Sequence, residues 1–335
     1  MEYLRIAVDA MGGDNGPEAT VKGCIDAINN EKNIQVLLVG KEPLILKELN
    51  KYTYQKEQIK IIPAEEVIEN CESPVMAIRR KKNSSIVVGL KLVKEKQAEA
   101  FVSAGSTGAV LAGGTIIVGR IKGIERPALA SFIPNEKGFT LLLDCGANVD
   151  CKATQLVQFA QMGSIYYEGF MKKPSPKVGL VNIGEEEEKG DMLSKEAYAL
   201  LKDEASINFG GNLEAREIPK GDFDVAVCDG FVGNVILKYT EGFAMSLFGM
   251  IKNSIMSNTV SKIGGLLIKG SLKKMMKTLD YSEYGGAPLL GLNGLVVKTH
   301  GSSDAKAIKN TVLQCNTFYT EKINEKIKNR LSVEG

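Results

Sequence analysis

The sequence predicts an α/β fold in three layers (α/β/α), in which a largely parallel sheet lies between helices on both of its faces. Short, almost continuously apolar runs recur along the chain, as expected for strands that are buried on both faces. Between them lie amphipathic stretches of helical length, and this alternation favours parallel strands joined by helices. Small and polar residues follow the strand ends, which is where open parallel sheets bind their ligands.

The elements can be assigned in order along the chain. The predicted strands are residues 4–8, 34–39, 59–62, 100–103, 129–133, 140–143, 177–181, 224–228 and 295–298. The predicted helices are residues 18–29, 43–51, 86–95, 109–119, 154–171, 192–204 and 303–327. We expect one domain over residues 1–335, with a basic amphipathic helical segment at about residues 242–279.

The composition is that of an ordinary globular protein with a large core. Hydrophobic residues make up 44% of the 335 residues and charged residues 24%. A net charge of +2 gives no reason to expect a nucleic acid partner. No apolar run reaches the length of about eighteen residues that a membrane span needs, and the first residues do not read as a secretory signal.

Cysteine and histidine usage argues against a metal site. The chain has six cysteines, none of them in C-x-x-C spacing, and a single histidine, so we expect no metal and no cofactor. Reduced cysteines fit a cytoplasmic protein. Cys145 follows a strand, where a cysteine could attack a thioester, but no histidine is near it in sequence. We therefore interpret Cys145 as a small buried residue.

Polar side chains follow six of the predicted strands, and together they predict a polar site at one edge of the sheet. The alternative is that these residues only make turns and cap helices. The six segments are residues 9–14, 103–108, 144–148, 182–184, 229–234 and 300–303.

The segment that begins at Ser103 follows a strand and opens an apolar helix. Gly105 lets the backbone approach a ligand, while hydroxyls and the first N–H groups of the helix can hold an anion. The segment is neither a Walker A motif nor G-x-G-x-x-G. Ser106 or Thr107 is also a candidate helix cap, and capping is compatible with binding.

The loop after the first strand contains Asp9, Gly12, Gly13 and Asp14. The glycine spacing does not fit a dinucleotide-binding turn, which counts against an NAD enzyme. Asp9 and Asp14 could position a cation or a base, although carboxylates in a glycine-rich turn are often only turn formers.

Four further residues could take part in chemistry. Lys189 follows an acidic run at residues 185–188, which is either a solvated loop or a segment that turns Lys189 inward toward phosphate or an oxyanion. Asp229 ends a buried strand and suits a base or a phosphate-positioning group, and Asn234 could donate to a carbonyl oxygen. His300 follows another strand, before a predicted helix cap at residue 302 or 303, and could protonate a leaving thiolate.

A stretch without Asp or Glu runs from residue 242 to residue 279 and combines lysines with large apolar residues. Its first part fits a helix that packs on the core. Beyond about residue 257 the composition indicates a segment that rests on anionic lipid or docks an acidic partner. The alternative is a helical hairpin that packs on the body or across a dimer interface. The predicted contact residues are Lys262, Leu266, Leu267, Lys269, Lys273 and Lys274.

Eight motifs, in this order, resemble those of the bacterial acyl-[acyl carrier protein]:phosphate acyltransferase family. They are DAMGGD at residues 9–14, SAGxTGA at 103–109, ERPA at 125–128, DxGANVD at 144–150, NIG at 182–184 with KG at 189–190, DGFVGN at 229–234, YGGAPLLG at 284–291 and HGxS at 300–303. The chain departs from the family pattern at Ser106, where Asn is usual, and at Cys145, where Val is common.

The resemblance implies an enzyme that converts acyl-[acyl carrier protein] and inorganic phosphate into acyl phosphate and free carrier protein. The product would feed a downstream glycerol-3-phosphate acyltransferase in phospholipid synthesis. The resemblance also implies a fold similar to those of phosphotransacetylase and isocitrate dehydrogenase, a homodimer, and peripheral attachment to the membrane surface from the cytoplasm. An acidic carrier protein would suit the basic segment.

The mechanism that we expect is direct displacement. Groups around residues 103–107 hold phosphate, helped by Arg126 or Lys189, and a phosphate oxygen attacks the thioester carbonyl. The expected catalytic residues are Lys189, Asp229, Asn234 and His300. The expected phosphate- or substrate-binding residues are Asp9, Gly12, Gly13, Asp14, Ser103, Gly105, Ser106, Thr107, Arg126 and Asn148.

Two other functions are compatible with the same fold class. One is an NAD-dependent decarboxylating dehydrogenase, which would need an arginine-rich carboxylate pocket and a metal-binding aspartate cluster that the sequence does not show. The other is a non-catalytic membrane scaffold that binds carrier protein. The scaffold predicts carrier binding without any phosphate-dependent loss of the acyl thioester.

Overall fold

The computed structural model describes residues 3–278 and 281–332. The strands, in chain order, are β1 (Leu4–Asp9), β2 (Ile34–Gly40), β3 (Ile59–Pro63), β4 (Ala100–Ser103), β5 (Ala128–Asn135), β6 (Gly138–Leu143), β7 (Lys177–Asn182), β8 (Asn208–Glu214), β9 (Val225–Val227), β10 (Ala287–Leu290) and β11 (Leu295–Lys298).

The α-helices alternate with most of these strands. They are α1 (Gly16–Asn30), α2 (Glu42–Leu49), α3 (Pro74–Arg80), α4 (Ser85–Lys94), α5 (Thr107–Gly113), α6 (Ala153–Met171), α7 (Met192–Asp203), α8 (Gly230–Ile255), α9 (Thr259–Thr278), α10 (Ala305–Thr320) and α11 (Ile323–Leu331). None of the helices that the structure describes has the length and hydrophobicity that crossing a bilayer requires.

The chain divides into two compact units. The first comprises Met1–Ser131, Gln161–Pro176 and Ser282–Gly335, and the second comprises Phe132–Ala160 and Lys177–Tyr281. The boundary falls within β5 and within α6, so each of these elements has residues in both units. The single domain over residues 1–335 stays a prediction.

The strands pair mostly in parallel, as predicted. In the first unit the order is β3-β2-β1-β4-β11-β10, with parallel pairing from β3 through β11 and antiparallel pairing of β10 with β11. In the second unit β6, β9, β7 and β8 follow one another, all parallel. Because parallel strands end at the same edge, the loops after β1, β4 and β11 emerge together in the first unit.

Both faces of the sheet are covered in the first unit. Ile6, Ala7 and Val8 follow one another along β1 and are 0%, 0% and 1% exposed. Consecutive strand residues point to opposite faces, so this burial requires a layer on each side. Helices α4 and α10 both contact β1. The predicted three-layer α/β class is therefore confirmed.

A close helix contact fixes the start of α10 beside α1. A Cβ atom on Gly23 would lie 2.5 Å from the Ala305 carbonyl oxygen and 2.7 Å from Ile308 Cβ. Only glycine permits this approach. The contact keeps the loop between β11 and α10 next to the loop that precedes α1.

Helices α8 and α9 leave large apolar side chains exposed. Phe243 and Met245 on α8 are 53% and 77% exposed, and Leu266 and Leu267 on α9 are 70% and 83% exposed. The expectation that the first part of the segment at residues 242–279 packs on the core is therefore wrong. The described part of the segment is helical on both sides of a short break before α9, and Leu279 lies outside the described residues.

Several elements differ from the sequence prediction. β8, β10 and α3 are not predicted, because NFGGNLE and APLL lack a clear strand pattern and Pro74–Arg80 is only seven residues long. The helix predicted at residues 303–327 is two helices, α10 and α11, with Lys322 between them in the left-handed region at φ 53°. Its cap is Asp304, whose carboxylate accepts from the Ala307 N–H at 2.9 Å, rather than residue 302 or 303.

Candidate active site

Three loops of the first unit meet at the carboxyl ends of its parallel strands. They are the β1 loop (residues 10–15), the β4 loop (residues 104–106) and the β11 loop (residues 299–304). The backbone N–H of Asp14 donates to the Gly301 carbonyl at 2.8 Å, which joins the β1 and β11 loops. The Asn15 amide adds hydrogen bonds to the carbonyls of Ser302 and Ser303, at 3.1 Å and 3.0 Å.

A buried hydrogen-bond network around Asp9 joins the β1 loop to the β4 loop. One carboxylate oxygen of Asp9 accepts from the backbone N–H groups of Met11 at 3.0 Å and Gly12 at 3.1 Å. The other accepts from the Ser103 hydroxyl at 2.7 Å, and Ser103 Oγ accepts in turn from the Gly105 N–H at 3.0 Å. With 2% exposure, Asp9 supports both loops from beneath rather than facing solvent.

Burial also changes the acidity of this carboxyl group. It raises the pKa of Asp9 above its ordinary value, because removal from water disfavours the charged form. Hydrogen bonds from Ser103 and Ser85 act in the opposite direction. From the sequence, Asp9 either positions a cation or a base or only forms the turn. In the structure its carboxyl group contacts the hydroxyls of Ser103 and Ser85 and the amides of its own loop.

Two glycines of the β1 loop allow this close approach. A Cβ atom on Gly12 would lie 2.5 Å from Asp9 Oδ2 and 2.5 Å from the Gly105 nitrogen. Gly13 has φ +86°, and a Cβ atom there would lie 2.8 Å from the Gly301 oxygen. Any side chain at either position would push the loops apart.

Of the two predicted caps of α5, Ser106 is the cap. Its hydroxyl accepts from the Ala109 N–H at 3.4 Å, and the helix begins at Thr107. Ser106 is buried and Thr107 is exposed. The edge of the β4 loop therefore offers the Thr107 hydroxyl and the first N–H groups of a helix, which have no acceptor inside it.

Lys298, for which the sequence predicts no role, belongs to the same cluster. It is the last residue of β11, lies in register with Ser103 and is 8% exposed. Its ammonium group donates to the Ala104 carbonyl at 3.4 Å and to the Thr299 carbonyl. The cation therefore ties the β4 loop to the β11 loop, and the only signal in the sequence was a lysine at the end of an otherwise apolar strand.

His300 and Arg126 lie at the surface of the first unit. His300 Nδ1 lies 2.7 Å from Ser302 Oγ and accepts from the Ser302 N–H at 3.2 Å. Because Nδ1 accepts, the neutral ring carries its proton on Nε2. Arg126 is exposed, and within the described residues its guanidinium group forms no hydrogen bond or ion pair.

In the second unit, the β6 loop (residues 144–152) contacts the start of α8. Asp144 is fully buried and accepts from the Asn148 N–H at 2.7 Å and the Asn148 amide at 2.9 Å. The Asn148 carbonyl accepts from the Gly230 N–H at 2.7 Å. A Cβ atom on Gly146 would lie 3.5 Å from Asn234 Cβ. The second unit therefore brings together the segments that carry Asn148 and Asn234. Asp144, for which the sequence predicts no individual role, holds Asn148 in place through these hydrogen bonds.

Asp229 and Cys145 make local contacts in the second unit. The Asp229 carboxylate caps α8 by accepting from the Val232 N–H at 2.9 Å. Cys145 is 2% exposed and its Sγ lies 3.2 Å from the Leu142 oxygen, which confirms that it is a small buried residue. Across residues 3–278 and 281–332, no three His, Cys, Asp or Glu side chains are grouped to hold a metal ion.

Lys189 lies in the β7 loop (residues 183–191) with an exposed side chain. The Asn182 amide donates to its carbonyl at 3.1 Å, which fixes the backbone. In the acidic run before it, Glu187 pairs with Lys202 at 2.7 Å, and this hydrogen bond lowers the pKa of Glu187. The acidic run is thus a solvated segment held to α7, while the Lys189 ammonium group forms no ion pair with any described residue.

Known proteins resemble this chain over almost its whole length. The family described as "Fatty acid synthesis protein" matches residues 4–326. A phosphate acyltransferase of Alkaliphilus oremlandii (strain OhILAs) is 55% identical over 332 residues, covering 99% of this chain and 98% of the relative. Another, of Clostridium novyi (strain NT), is 54% identical over 328 residues, covering 98% of each chain.

A solved structure supports the fold. A phosphotransacetylase from Streptococcus pyogenes superposes with a TM-score of 0.62 at 17% identity, covering 95% of this chain and 94% of the other. This confirms the predicted likeness to phosphotransacetylase folds. At this identity the likeness concerns the fold alone.

The buried carboxyl group of Asp9 predicts a pH-dependent effect of Asp9→Asn. The pKa of Asp9 in the folded protein lies above its ordinary value of 3.8 in an unfolded chain, so the parent loses stability as the pH rises from that value through the folded pKa. Asparagine cannot ionise, so the variant does not lose stability in this way as the pH rises. We expect the melting temperature of the variant, relative to the parent, to rise between pH 4 and pH 8.

The matched control is Asp203→Asn, at an exposed aspartate on α7. Thermal unfolding at several pH values should show no comparable trend for this control. A constant offset for Asp9→Asn across the whole range would contradict the effect of burial on Asp9.

Proposed function

Because the chain belongs to the fatty acid synthesis protein family, we propose that it transfers a fatty acyl group from acyl carrier protein to inorganic phosphate. The products are acyl phosphate and free carrier protein. The reaction exchanges a thioester for a mixed anhydride, so it needs a place for a phosphate anion and a means of stabilising charge on the thioester oxygen.

One observation carries this proposal. Two proteins named phosphate acyltransferase share 54% and 55% of their residues with this chain, over 98% or more of each protein. The aligned length includes the strand-end loops of both units. An acyltransferase of fatty acid and lipid synthesis is the function that this similarity supports.

Phosphate binding is assigned to the loops of the first unit. The Ser103–Asp9 network and the two glycines hold the β1 and β4 loops in close contact, and the β4 loop leads into the first N–H groups of α5. Hydroxyl and main-chain N–H donors suit a phosphate anion without a metal ion. In this assignment Asp14, Ser106 and Thr107 line the anion, and Arg126 supplies positive charge.

The remaining roles follow from the chemistry of the step. A phosphate oxygen forms a bond to the thioester carbon, and the carbon–sulfur bond then breaks to release the carrier thiolate. Lys189 or Asn234 stabilises the tetrahedral oxyanion, and Asp229 orients or deprotonates phosphate. His300 stabilises the leaving sulfur by donating a hydrogen bond from Nε2–H, with Asn148 as a further substrate contact.

The direct test is to incubate the purified protein with a long-chain acyl carrier protein thioester and follow free thiol. Thiol release that requires inorganic phosphate, together with acyl phosphate formation, is the expected result. Carrier binding without phosphate-dependent release would instead support a scaffold. A rise in melting temperature with a nicotinamide cofactor would support the dehydrogenase.

Substitution of Lys189 tests its assigned role. We expect Lys189→Ala to lower turnover by about 100-fold or more, which is the usual cost of losing an oxyanion donor. The side chain is exposed, so the melting temperature should stay within the range of surface substitutions. Steady-state kinetics and thermal unfolding measure the two effects.

Lys195→Ala is the matched control, since Lys195 is also exposed and lies on the adjacent helix α7. It should keep near-normal turnover. If Lys189→Ala also keeps near-normal turnover, the proposed role of Lys189 is wrong.

We also propose that the enzyme works in the cytoplasm as a homodimer, peripherally attached to a membrane. Helices α8 and α9 support this, because their large apolar residues are exposed beside lysines and no acidic residue lies between residues 242 and 278. The side chains of Lys262, Lys269, Lys273 and Lys274 are all exposed. This location would pass acyl phosphate directly to a glycerol-3-phosphate acyltransferase, and the same face suits an acidic carrier protein.

Charge reversal on α9 tests the membrane contact. Each lysine near an anionic surface contributes about 1 kcal/mol, so Lys273→Glu with Lys274→Glu should weaken binding to anionic vesicles by at least about tenfold. Co-sedimentation with vesicles measures the loss.

The control reverses Lys326 and Lys328, which are exposed on α11. Unchanged co-sedimentation of the α9 variant, or an equal loss in the control, would contradict a membrane contact through α9.

A further inference from the structure

An open apolar groove lies in the second unit, between the start of α6 and helix α7. Its volume is about 670 Å³. Cys151 and Ala153 line one side, and Met192, Leu193 and Leu200 line the other. This volume lies within the range of small-molecule sites, which is about 300–1,000 Å³.

The α7 side of the groove is an uncovered apolar surface. Met192 is 78% exposed and Leu200 is 44% exposed, whereas Ala197 and Leu201 of the same helix are fully buried. The helix therefore packs through one face and presents a second apolar face to the groove. The charged side chains at the groove are Lys152 and Glu196, of opposite sign, so the lining has no net charge and suits a hydrocarbon better than an anion.

The groove begins where two loops end, one with the proposed catalytic residue Lys189 and the other with the proposed substrate-binding residue Asn148. The β7 loop, with Lys189, leads directly into Met192 at the start of α7. The β6 loop contains both Asn148 and Cys151 and leads directly into the start of α6. An ester carbonyl held by these two loops would therefore have its hydrocarbon tail at the entrance of the groove.

We propose that this groove binds the fatty acyl chain of the thioester substrate. The carbonyl end lies toward Met192 and the tail runs along α7 toward Leu200. This inference rests on the proposed function, and it assigns the acyl-chain subsite to side chains that no catalytic role involves.

The length of the groove determines how many carbons of the acyl chain it can contact. Eight residue steps from Met192 to Leu200 span about 12 Å of helix. With carbon–carbon bonds of about 1.5 Å, an extended hydrocarbon advances about 1.3 Å per carbon. The groove therefore contacts about nine carbons, and a short acyl chain ends before it reaches Leu200.

The test places a charge at the far end of the groove and compares two chain lengths. Leu200→Asp should lower kcat/KM for a sixteen-carbon acyl carrier protein thioester by about tenfold, because the carboxylate would be desolvated against hydrocarbon. The same variant should leave kcat/KM for a six-carbon thioester unchanged. Leu46→Asp is the matched control, at a leucine of α2 that is 41% exposed, and it should alter neither value.

The other possible results distinguish failure of the proposed function from failure of the proposed acyl-chain groove. If the parent enzyme shows no phosphate-dependent thiol release, the proposed function itself fails. If the parent is active and Leu200→Asp affects both chain lengths equally or neither, the groove does not bind the acyl chain. If that variant keeps the parent's chain-length profile but has a lower mass by light scattering, the groove is an interface between copies of this chain.

Discussion

The loops at the strand ends of the first unit depend on the buried carboxyl group of Asp9. It holds the amides of its own loop with one oxygen and the Ser103 hydroxyl with the other, so two loops that are distant in sequence share one acceptor. Gly12 and Gly105 lie against the same carboxyl group: a Cβ atom would lie 2.5 Å from Asp9 Oδ2 on Gly12 and 3.2 Å from it on Gly105. These residues pack together as one cluster. A substitution at any of them therefore shifts the loop surface that is proposed to hold phosphate.

Most of the fold could be predicted because buried parallel strands have a strong sequence signature. The runs that became β1, β2, β4 and β11 are short and apolar, and the structure places them within about one residue of the predicted bounds. The elements that were missed lack such a pattern: β8 contains two adjacent glycines, and β10 contains Pro288, a residue that is unusual inside a strand. The break at Lys322 could not be predicted, because neither glycine nor proline marks it.

The polar residues that follow the strands could be predicted as parts of the candidate site. The residues that contribute to the site because they are buried could not be predicted. Lys298 and Asp144 are buried and hold loops in place through their hydrogen bonds, and a single sequence reveals neither the burial nor the hydrogen bonds. The exposure of α8 has the same cause, since apolar composition fits a core helix and a surface helix equally well. The groove beside α7 depends on two helices that are distant in sequence, so composition alone could not reveal it.

The order in which the chain forms the first unit has a consequence for its synthesis. That unit is built from three separate stretches, and β11, which lies next to β4, belongs to the last of them. As the chain leaves the ribosome, the edge of β4 stays without this neighbour until nearly three hundred residues have been made. An unpaired edge of this kind invites association with other nascent chains, so this protein is exposed to aggregation for most of its translation.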